Sequence, residues 1–272
     1  MHGTGLFEGA AIYYSQYQPD YPAEIFTLLT DRFSLNAKHR LLDLGCGTGQ
    51  LGIPFASRVG RVLCMDPDAD MISEARRSAT KAGVRNVEFE VNGVEAIDAS
   101  YEPVQLVTMG RCFHWMPREH ALGLLDMIVA EGGGIAIIDK ERSAGEPPGW
   151  WDDMWRFVLD WHGGTLPAGK GQTRAPLPRP HIDVVAASPF AAMEQLSIPY
   201  SIEWAVQDMV GYVLSTSRAC PGVLGDGRKT FEERLYGHLS DRAKHGYLIE
   251  TGTTVLLIAT RRKPRHGFAR RR

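Results

Sequence analysis

The sequence predicts an α/β protein built on a parallel, doubly wound sheet, and two observations support this fold class. Five short apolar segments typical of strands alternate with helical segments over residues 41–139. Strands that alternate with helices in this way form a parallel sheet with helices on both faces. The chain has 272 residues, of which 44% are hydrophobic. It can therefore bury a large core, and we expect one domain with an elaboration rather than two equal domains.

Each predicted element follows from a local pattern. Residues 7–33 have a helical pattern in two pieces, because the segment Pro19–Pro22 interrupts it. Asp68 precedes an amphipathic stretch and is expected to cap its helix. Further helices are predicted from apolar spacing over residues 48–57, 69–81, 117–130, 205–217 and 228–243. Strands are predicted from short apolar runs over residues 41–44, 61–65, 87–91, 104–110, 135–139, 193–201 and 253–260.

A glycine-rich turn follows the first predicted strand and is the centre of the predicted site. Residues 41–49 read LLDLGCGTG, with glycines at positions 45, 47 and 49. Glycines let the backbone turn tightly and approach a ligand without a Cβ in the way. A helix that begins near Thr48 directs free N–H groups at the same place. Asp43 adds a carboxylate there, which favours a ligand with an ammonium group over a pyrophosphate.

A dinucleotide site is the competing interpretation of this turn. Residues 47–52 satisfy the pattern Gly-x-Gly-x-x-Gly, which is typical of nicotinamide cofactor sites. That pattern requires its first glycine directly after the strand. Here the strand ends at Leu44, so Gly45 takes that place. The register therefore disfavours an NAD(P)-dependent oxidoreductase, which is kept as an alternative.

The turn and the segments after it resemble those of class I S-adenosylmethionine (SAM) dependent methyltransferases. Asp43 and the three glycines match the family's first motif, acidic-x-Gly-x-Gly-x-Gly, and residues 113–115 (Phe-His-Trp) are similar to the small-molecule, type 11 or trans-aconitate methyltransferase-like group. The resemblance covers roughly residues 8–262. It implies a Rossmann-like, doubly wound seven-stranded sheet with an antiparallel last strand. SAM is the implied cofactor and S-adenosylhomocysteine the implied product.

The resemblance also implies a division of the chain into five parts. An N-terminal helical lid spans residues 1–34, and the SAM-binding core spans residues 35–140. A helical substrate cap is inserted after strand five, over residues 141–190, and its first helix is rich in tryptophan. The C-terminal part of the core, with a helical insertion, spans residues 191–262. A basic, disordered tail follows over residues 263–272.

The predicted cofactor site combines residues from several strand ends and from the lid. Asp66 ends the second strand 17 residues after Gly49, where a carboxylate can accept hydrogen bonds from both ribose hydroxyls. Pro67 and Met71 are predicted apolar walls for adenine. The remaining predicted cofactor contacts are Asp43, Gly45, Cys46, Gly47, Gly49, Gly93, Val94, Glu95, Arg111, Tyr14 and Gln18.

Two positions depart from the family's pattern. Relatives usually carry an aspartate that holds the adenine amino group where this chain has Val94. Recognition of adenine then passes to the backbone or to Glu95. Relatives often carry an arginine just before the first proline of the lid, where it can pair with the carboxylate of the cofactor. Gln18 stands there, so that ion pair is absent or supplied elsewhere.

His114 is the predicted general base, because a hydroxyl acceptor loses a proton as it is methylated and histidine titrates near neutrality. The alternative is a structural histidine, hydrogen-bonded within its loop. Residues 131–160 hold seven acids against three bases. An acidic, tryptophan-rich cap suits a cationic or sugar-like acceptor such as an aminosugar, unless these acids form a solvated helix face. The other predicted acceptor contacts are Tyr13, Tyr17, Trp115, Trp150, Trp151 and Asp152.

A small-molecule acceptor and a monomer or homodimer are expected. No apolar run reaches membrane-spanning length, and the first residues lack the pattern of a signal peptide, so we expect a cytoplasmic protein without a membrane partner. The four cysteines lack metal-site spacing, and no metal is expected. Residues 261–272 carry seven Arg or Lys, but the rest of the chain is acidic, which disfavours a nucleic-acid substrate. A SAM-binding protein without methyl transfer is the non-catalytic alternative.

Overall fold

A computed structural model describes residues 5–142, 149–169 and 179–262, and it shows the α/β fold that the sequence predicts. The strands are β1 Arg40–Leu44, β2 Arg61–Asp66, β3 Val87–Val91, β4 Val104–Gly110, β5 Val129–Arg142, β6 Ala192–Ala205 and β7 Tyr247–Thr260. They form one sheet in the order β3-β2-β1-β4-β5-β7-β6. The first five strands pair in parallel, and β7 runs antiparallel to both β5 and β6. The predicted seven-stranded sheet with an antiparallel last strand is confirmed.

Helices connect the strands and cover both faces of the sheet. They are α1 Ala11–Tyr17, α2 Ala23–Arg32, α3 Gly52–Phe55, α4 Ala69–Ala82, α5 Arg118–Ile128, α6 Trp150–Trp161, α7 His181–Ala186, α8 Val206–Leu214, α9 Pro221–Leu224 and α10 Arg228–Ser240. Short 3₁₀ turns occur at Val94–Ala96, Phe113–Trp115 and Gly225–Gly227. Residues from α2, α3 and α4 pack on one face of the sheet. Residues from α5 and α7 pack on the other face. The sheet is therefore doubly wound.

The predicted boundaries hold closely for the parallel strands and less well elsewhere. β3 and β4 have the predicted ends, and Asp68 caps α4 as predicted by accepting from the N–H groups of Asp70 and Met71. Strand five, predicted over residues 135–139, instead begins at residue 129, and the glycines at residues 132–134 lie inside β5, where the register with β4 shifts. The predicted helix over residues 48–57 shrinks to α3, because the glycine turn still occupies residues 45–49.

The predicted cap divides between two parts of the structure. α6 packs with α8 and α10 in a separate apolar cluster that contains Trp151, Met154 and Phe231. α7 packs instead against α5 in the core on the sheet. Val184 and Val185 of α7 are buried in that core, and the assignment of residues 141–190 to a substrate cap stays a prediction. Glu146 and the basic tail, residues 263–272, lie outside the described residues.

Candidate functional site

The glycine turn follows β1 and has the backbone geometry that its sequence predicts. Gly45, Gly47 and Gly49 have φ values of +66°, +53° and +87°, in the left-handed region that glycine adopts most readily. The N–H groups of Gly45 and Cys46 both donate to the carbonyl of Met65, at 2.7 and 3.0 Å. The turn is therefore fastened to the end of the neighbouring strand β2. Cys46 itself is buried.

Asp43 supports this turn from inside the protein. It is 1% exposed, and its two carboxylate oxygens accept hydrogen bonds from the Gly52 N–H and from the Thr108 hydroxyl, each at 2.8 Å. Burial raises the pKa of Asp43 to about 7. The expectation that Asp43 presents its charge to a ligand is therefore corrected. Its carboxylate instead joins the start of α3 to β4 and fixes the turn between them.

Asp66 lies at the tip of β2, as predicted, and contacts the turn directly. One carboxylate oxygen accepts from the Gly47 N–H at 2.9 Å, and the other accepts from the Asp68 N–H at 2.9 Å. Burial raises the pKa of Asp66 to about 6. A carboxylate has about four acceptor positions, so both oxygens can accept further hydrogen bonds from a ligand's hydroxyl groups.

The residues predicted to enclose adenine lie beside Asp66 with different exposures. Met71 is buried and packs with residues of the lid. Pro67 and Glu95 are exposed, and Gly93 is partly exposed. Val94 is buried in the core on the sheet. Its side chain therefore does not reach a ligand, which leaves the backbone of this turn, or Glu95, as the source of adenine contacts.

The lid residues divide into two groups. Tyr14 lies over the glycine turn, since a Cβ added at Gly47 would sit 3.5 Å from its ring. Tyr13 and Tyr17 stack on each other, with ring centroids 6.3 Å apart. The Tyr13 hydroxyl accepts from Arg228 at the start of α10, and the Tyr17 ring packs against α8. The structure thus places Tyr13 and Tyr17 between the lid and the C-terminal helices rather than beside the turn.

Arg111 joins the end of β4 to the lid. Its φ of +54° is uncommon for a residue with a side chain. Its guanidinium donates to Gln18 Oε1 at 2.5 Å, to the Tyr21 hydroxyl at 3.1 Å and to Gln50 Oε1 at 3.1 Å. All three partners are neutral amides or hydroxyls. Within the described ranges, no carboxylate forms a salt bridge with Arg111.

The Phe-His-Trp segment forms a 3₁₀ turn directly after Arg111. The His114 ring lies parallel to that of His181, with centroids 6.4 Å apart. Trp115 packs edge-on against Phe7 of the N-terminal segment. His181 begins α7, and its Nε2 lies 3.6 Å from Asp139 at the end of β5. Sequence reasoning missed His181, because nothing local indicates that α7 returns to the end of β4.

Lys140, near the end of β5, is a second residue that sequence reasoning missed. Its Nζ lies 4.7 Å from the ring centroid of Tyr200 on β6. Burial, together with the charge of Arg111, lowers the pKa of Lys140 to about 8. Its position directly after the predicted fifth strand, residues 135–139, was the signal available, because ligands bind at the carboxyl ends of parallel strands.

The tryptophan-rich helix α6 turns its acids away from its buried face. Trp151 is buried against Tyr212 of α8, with ring centroids 5.7 Å apart. The Trp150 Nε1 donates to the carbonyl of Ile249 on β7. Asp152 is exposed, and Asp153 accepts from Arg242 at 3.0 Å. The acidic site for a cationic acceptor at α6 stays a prediction.

The surroundings of the glycine turn include a cavity between two helices but, among the described residues, no metal cluster. Among the described residues, no group of three or more His, Cys, Asp or Glu is arranged to hold a metal ion. A cavity of about 490 Å³ lies between α6 and α10, and it is lined by Asp153, Arg156, Phe157, Asp160, Trp161, Arg234, His238 and Arg242. None of these residues belongs to the glycine turn. In the part of the chain that the structure describes, no helix is both long enough and apolar enough to span a membrane.

The chain is similar to known methyltransferases over part of its length. Residues 41–133 match the family model described as a methyltransferase domain. An uncharacterized methyltransferase of Schizosaccharomyces pombe is 30% identical over 154 residues, which are 56% of this chain and 59% of that protein. The aklanonic acid methyltransferase DauC of Streptomyces sp. strain C5 is 34% identical over 115 residues, 40% of this chain and 51% of that protein. The chain thus spans only half to three-fifths of the length of these curated relatives.

The fold also matches solved structures. A SAM-dependent methyltransferase from Geobacter sulfurreducens, solved in complex with S-adenosylhomocysteine, superposes with a TM-score of 0.53 at 17% identity. The match covers 96% of this chain and 100% of that one. At this identity the likeness establishes the shared fold, including the sheet on which the glycine turn and Asp66 are placed.

Proposed function

From the match of residues 41–133 to a methyltransferase domain, we propose that this protein transfers a methyl group from SAM to a hydroxyl or amine of a small polar molecule. The observation that carries the proposal is the hydrogen bond from the Gly47 N–H to Asp66. A pyrophosphate needs the free N–H groups of such a turn, and here a carboxylate already accepts from one of them. A ligand that presents hydroxyl groups to Asp66 fits this arrangement better than a dinucleotide.

The residues around the turn suit each part of a zwitterionic nucleoside. Asp66 can accept the ribose hydroxyls. The hydrogen-bond partners of the Arg111 guanidinium among the described residues are neutral. The carboxylate in the methionine part of SAM would therefore form an ion pair with this guanidinium. The Thr48 hydroxyl is buried within the turn and has no hydrogen-bond partner among the described residues, which leaves a polar group for the ligand to satisfy. Tyr14 closes over Gly47 from the lid.

Arg111 can replace the arginine that related lids carry at the position of Gln18. Gln18 occupies the position where related lids carry an arginine, and its amide oxygen accepts from the Arg111 guanidinium. The charge that the lid lacks is thus present at the same place, but it comes from the end of β4. In this proposal, Gln18 and Gln50 orient the guanidinium, and Arg111 makes the ion pair with the cofactor.

SAM supplies an electrophilic methyl group on sulfonium, so the protein's main task is to place the acceptor atom in line with it. A hydroxyl acceptor also needs its proton removed as the bond forms. His114 lies in the 3₁₀ turn that follows β4 and Arg111, at the carboxyl edge of the sheet. We assign His114 the role of the general base that removes this proton. His181, which stacks beside it, helps to hold its ring in place.

Isothermal titration calorimetry with SAM, S-adenosylhomocysteine and NAD⁺ tests the cofactor assignment. We expect S-adenosylhomocysteine to bind at least tenfold more tightly than NAD⁺, a difference of about 1.4 kcal/mol. Asp66→Asn should weaken this binding, whereas Asp70→Asn, an exposed acid one turn away on α4, should not. Tight NAD⁺ binding without S-adenosylhomocysteine binding would overturn the proposal. Binding without transfer of the labelled methyl group to any of a broad panel of hydroxyl and amine compounds would indicate a SAM-binding protein instead.

A further inference from the structure

Two positively charged residues lie at the carboxyl edge of the sheet, on neighbouring strands. Arg111 follows β4. Gly110 pairs with Ile138 in the parallel register, so Lys140, two residues further along β5, is level with the segment that follows β4. Ile138 belongs to the core on the α2 face, and alternate residues of a strand point to the same face. Lys140 therefore lies on the lid side of the sheet, as Arg111 does.

Lys140 has an aromatic neighbour but no paired carboxylate. Its Nζ faces the Tyr200 ring at 4.7 Å. Glu250 of β7 is the nearby acid that raises its pKa, but the two oxygens of Glu250 accept from the Tyr200 hydroxyl at 2.8 Å and from Trp204 Nε1 at 2.9 Å. No salt bridge of Lys140 occurs within residues 5–142, 149–169 and 179–262.

The position of Lys140 is partly open. Lys140 and Tyr200 are both only partly buried, whereas Glu250 is 4% exposed. A ligand above the ends of β4 and β5 can thus reach the amine without breaking the hydrogen bonds of Glu250. A desolvated ammonium without an anion is costly. A cationic ligand at this place would add repulsion from both Lys140 and Arg111, whereas an anionic group would remove the cost.

We propose that Lys140 binds an anionic group of the methyl acceptor, so that the protein methylates small organic anions. This inference rests on the proposed methyl transfer. In that reaction, the carboxylate of the cofactor neutralises Arg111, which leaves Lys140 as the charge available to the acceptor. The Tyr200 ring, which already contacts Nζ, holds the lysine side chain toward the strand ends. Lys140 is a residue that determines acceptor specificity, and the acids of α6 are not.

Acceptors that share a nucleophile and differ only in charge test this inference. 4-Hydroxybenzoate, 4-hydroxybenzamide and tyramine present the same phenol with a negative, a neutral and a positive substituent, and glucose 6-phosphate and glucose form a second matched pair. Transfer of tritiated methyl from SAM is measured for the wild type, Lys140→Gln and Lys140→Arg. Lys81→Gln, an exposed lysine of α4, is the matched control.

We expect the anionic members to be methylated with the highest kcat/KM. Lys140→Gln should raise their KM about tenfold or more, as for a lost charge-assisted hydrogen bond. Lys140→Arg should retain most of the affinity, and Lys81→Gln should have no effect. The Kd of S-adenosylhomocysteine should stay within twofold in all variants. If Lys140→Gln weakens S-adenosylhomocysteine instead, Lys140 binds the cofactor and the inference is wrong. Equal rates for anionic, neutral and cationic members would also overturn it.

A binding measurement covers the case in which no member of the panel is methylated. Reductive methylation of Lys140 is followed by mass spectrometry in the complex with S-adenosylhomocysteine. Protection by 4-hydroxybenzoate or glucose 6-phosphate, but not by their neutral partners, supports the anion site. Equal labelling of Lys140 in the presence of the charged and the neutral compounds would contradict the anion site. Failure to bind S-adenosylhomocysteine at all would refute the proposed function separately, because that readout does not depend on Lys140.

Discussion

The guanidinium of Arg111 lies 2.5 Å from the amide oxygen of Gln18, so a hydrogen bond joins the residue that follows β4 to the lid. The two residues are 93 positions apart in the sequence. Their contact shows that a positive charge reaches the lid from the sheet. It also makes an exchange of the two side chains a direct test of which position needs the charge.

Arg111→Gln should weaken S-adenosylhomocysteine about tenfold to a hundredfold, because a charge-assisted hydrogen bond to the ligand carboxylate is lost. 5′-Methylthioadenosine has no carboxylate, so its Kd should change by less than about twofold. The double variant Gln18→Arg with Arg111→Gln returns the guanidinium from the lid and should recover most of the affinity. Isothermal titration calorimetry measures the Kd of both ligands for the wild type, the single variant and the double variant. An equal loss for both ligands would mean that Arg111 only holds the lid.

Asp43→Asn should reduce the dependence of stability on pH. The pKa of Asp43 is raised to about 7 from an ordinary 3.8, so the folded protein holds this proton more tightly than the unfolded chain does. The free energy of unfolding therefore falls as pH rises from about 4 through about 7, by at most about 4 kcal/mol from this group. The asparagine variant does not titrate at this position, so this pH-dependent contribution to its free energy of unfolding is absent.

Urea unfolding at pH 5, 6, 7 and 8 measures the difference. The variant should gain stability relative to the wild type as pH rises, and the gap should level off above pH 7. The altered hydrogen bonds with Gly52 and Thr108 shift the variant's curve by the same amount at every pH, so they do not change the slope of the difference. Parallel curves across this range would show that Asp43 is not protonated in the folded state.

Several elements of the fold and of the candidate site could be predicted from the sequence. The parallel strands were predictable because each is a short apolar run, and the glycine turn because its spacing fixes its backbone. Asp66 was predictable because a strand end followed by a helix cap determines where its carboxylate lies. The class I methyltransferase resemblance was confirmed by the match of residues 41–133, whereas the residue roles remain predictions.

What could not be predicted depends on contacts between distant segments. The direction of the Asp43 carboxylate depends on Thr108, 65 residues away. The environment of Lys140 depends on Tyr200 and on Glu250, which come from two later strands. Composition alone is also insufficient at α6, because a count of acids does not tell which face of the helix they occupy.

His114→Ala should lower turnover about a hundredfold or more if His114 removes the acceptor's proton. The Kd of the variant for S-adenosylhomocysteine should be unchanged, since His114 lies after β4 and is not part of the glycine turn proposed to bind the cofactor. His120→Ala, an exposed histidine of α5, is the control for loss of an imidazole. Turnover is measured at saturating SAM with an acceptor hydroxyl. Full activity of His114→Ala would assign the residue a structural role beside His181.

Asp152→Asn combined with Asp160→Asn should leave the KM of the acceptor unchanged within about twofold. Both side chains are exposed on α6, and charges separated by solvent and salt interact weakly beyond about 10 Å. Trp151→Ala, on the buried side of the same helix, should instead destabilise the cluster with α8 and α10 by about 3 kcal/mol or more. Thermal unfolding and acceptor kinetics on the same preparations separate the two effects. A rise in KM confined to cationic acceptors in the Asp152 and Asp160 double variant would restore the acidic helix as part of the acceptor site and would count against the role of Lys140.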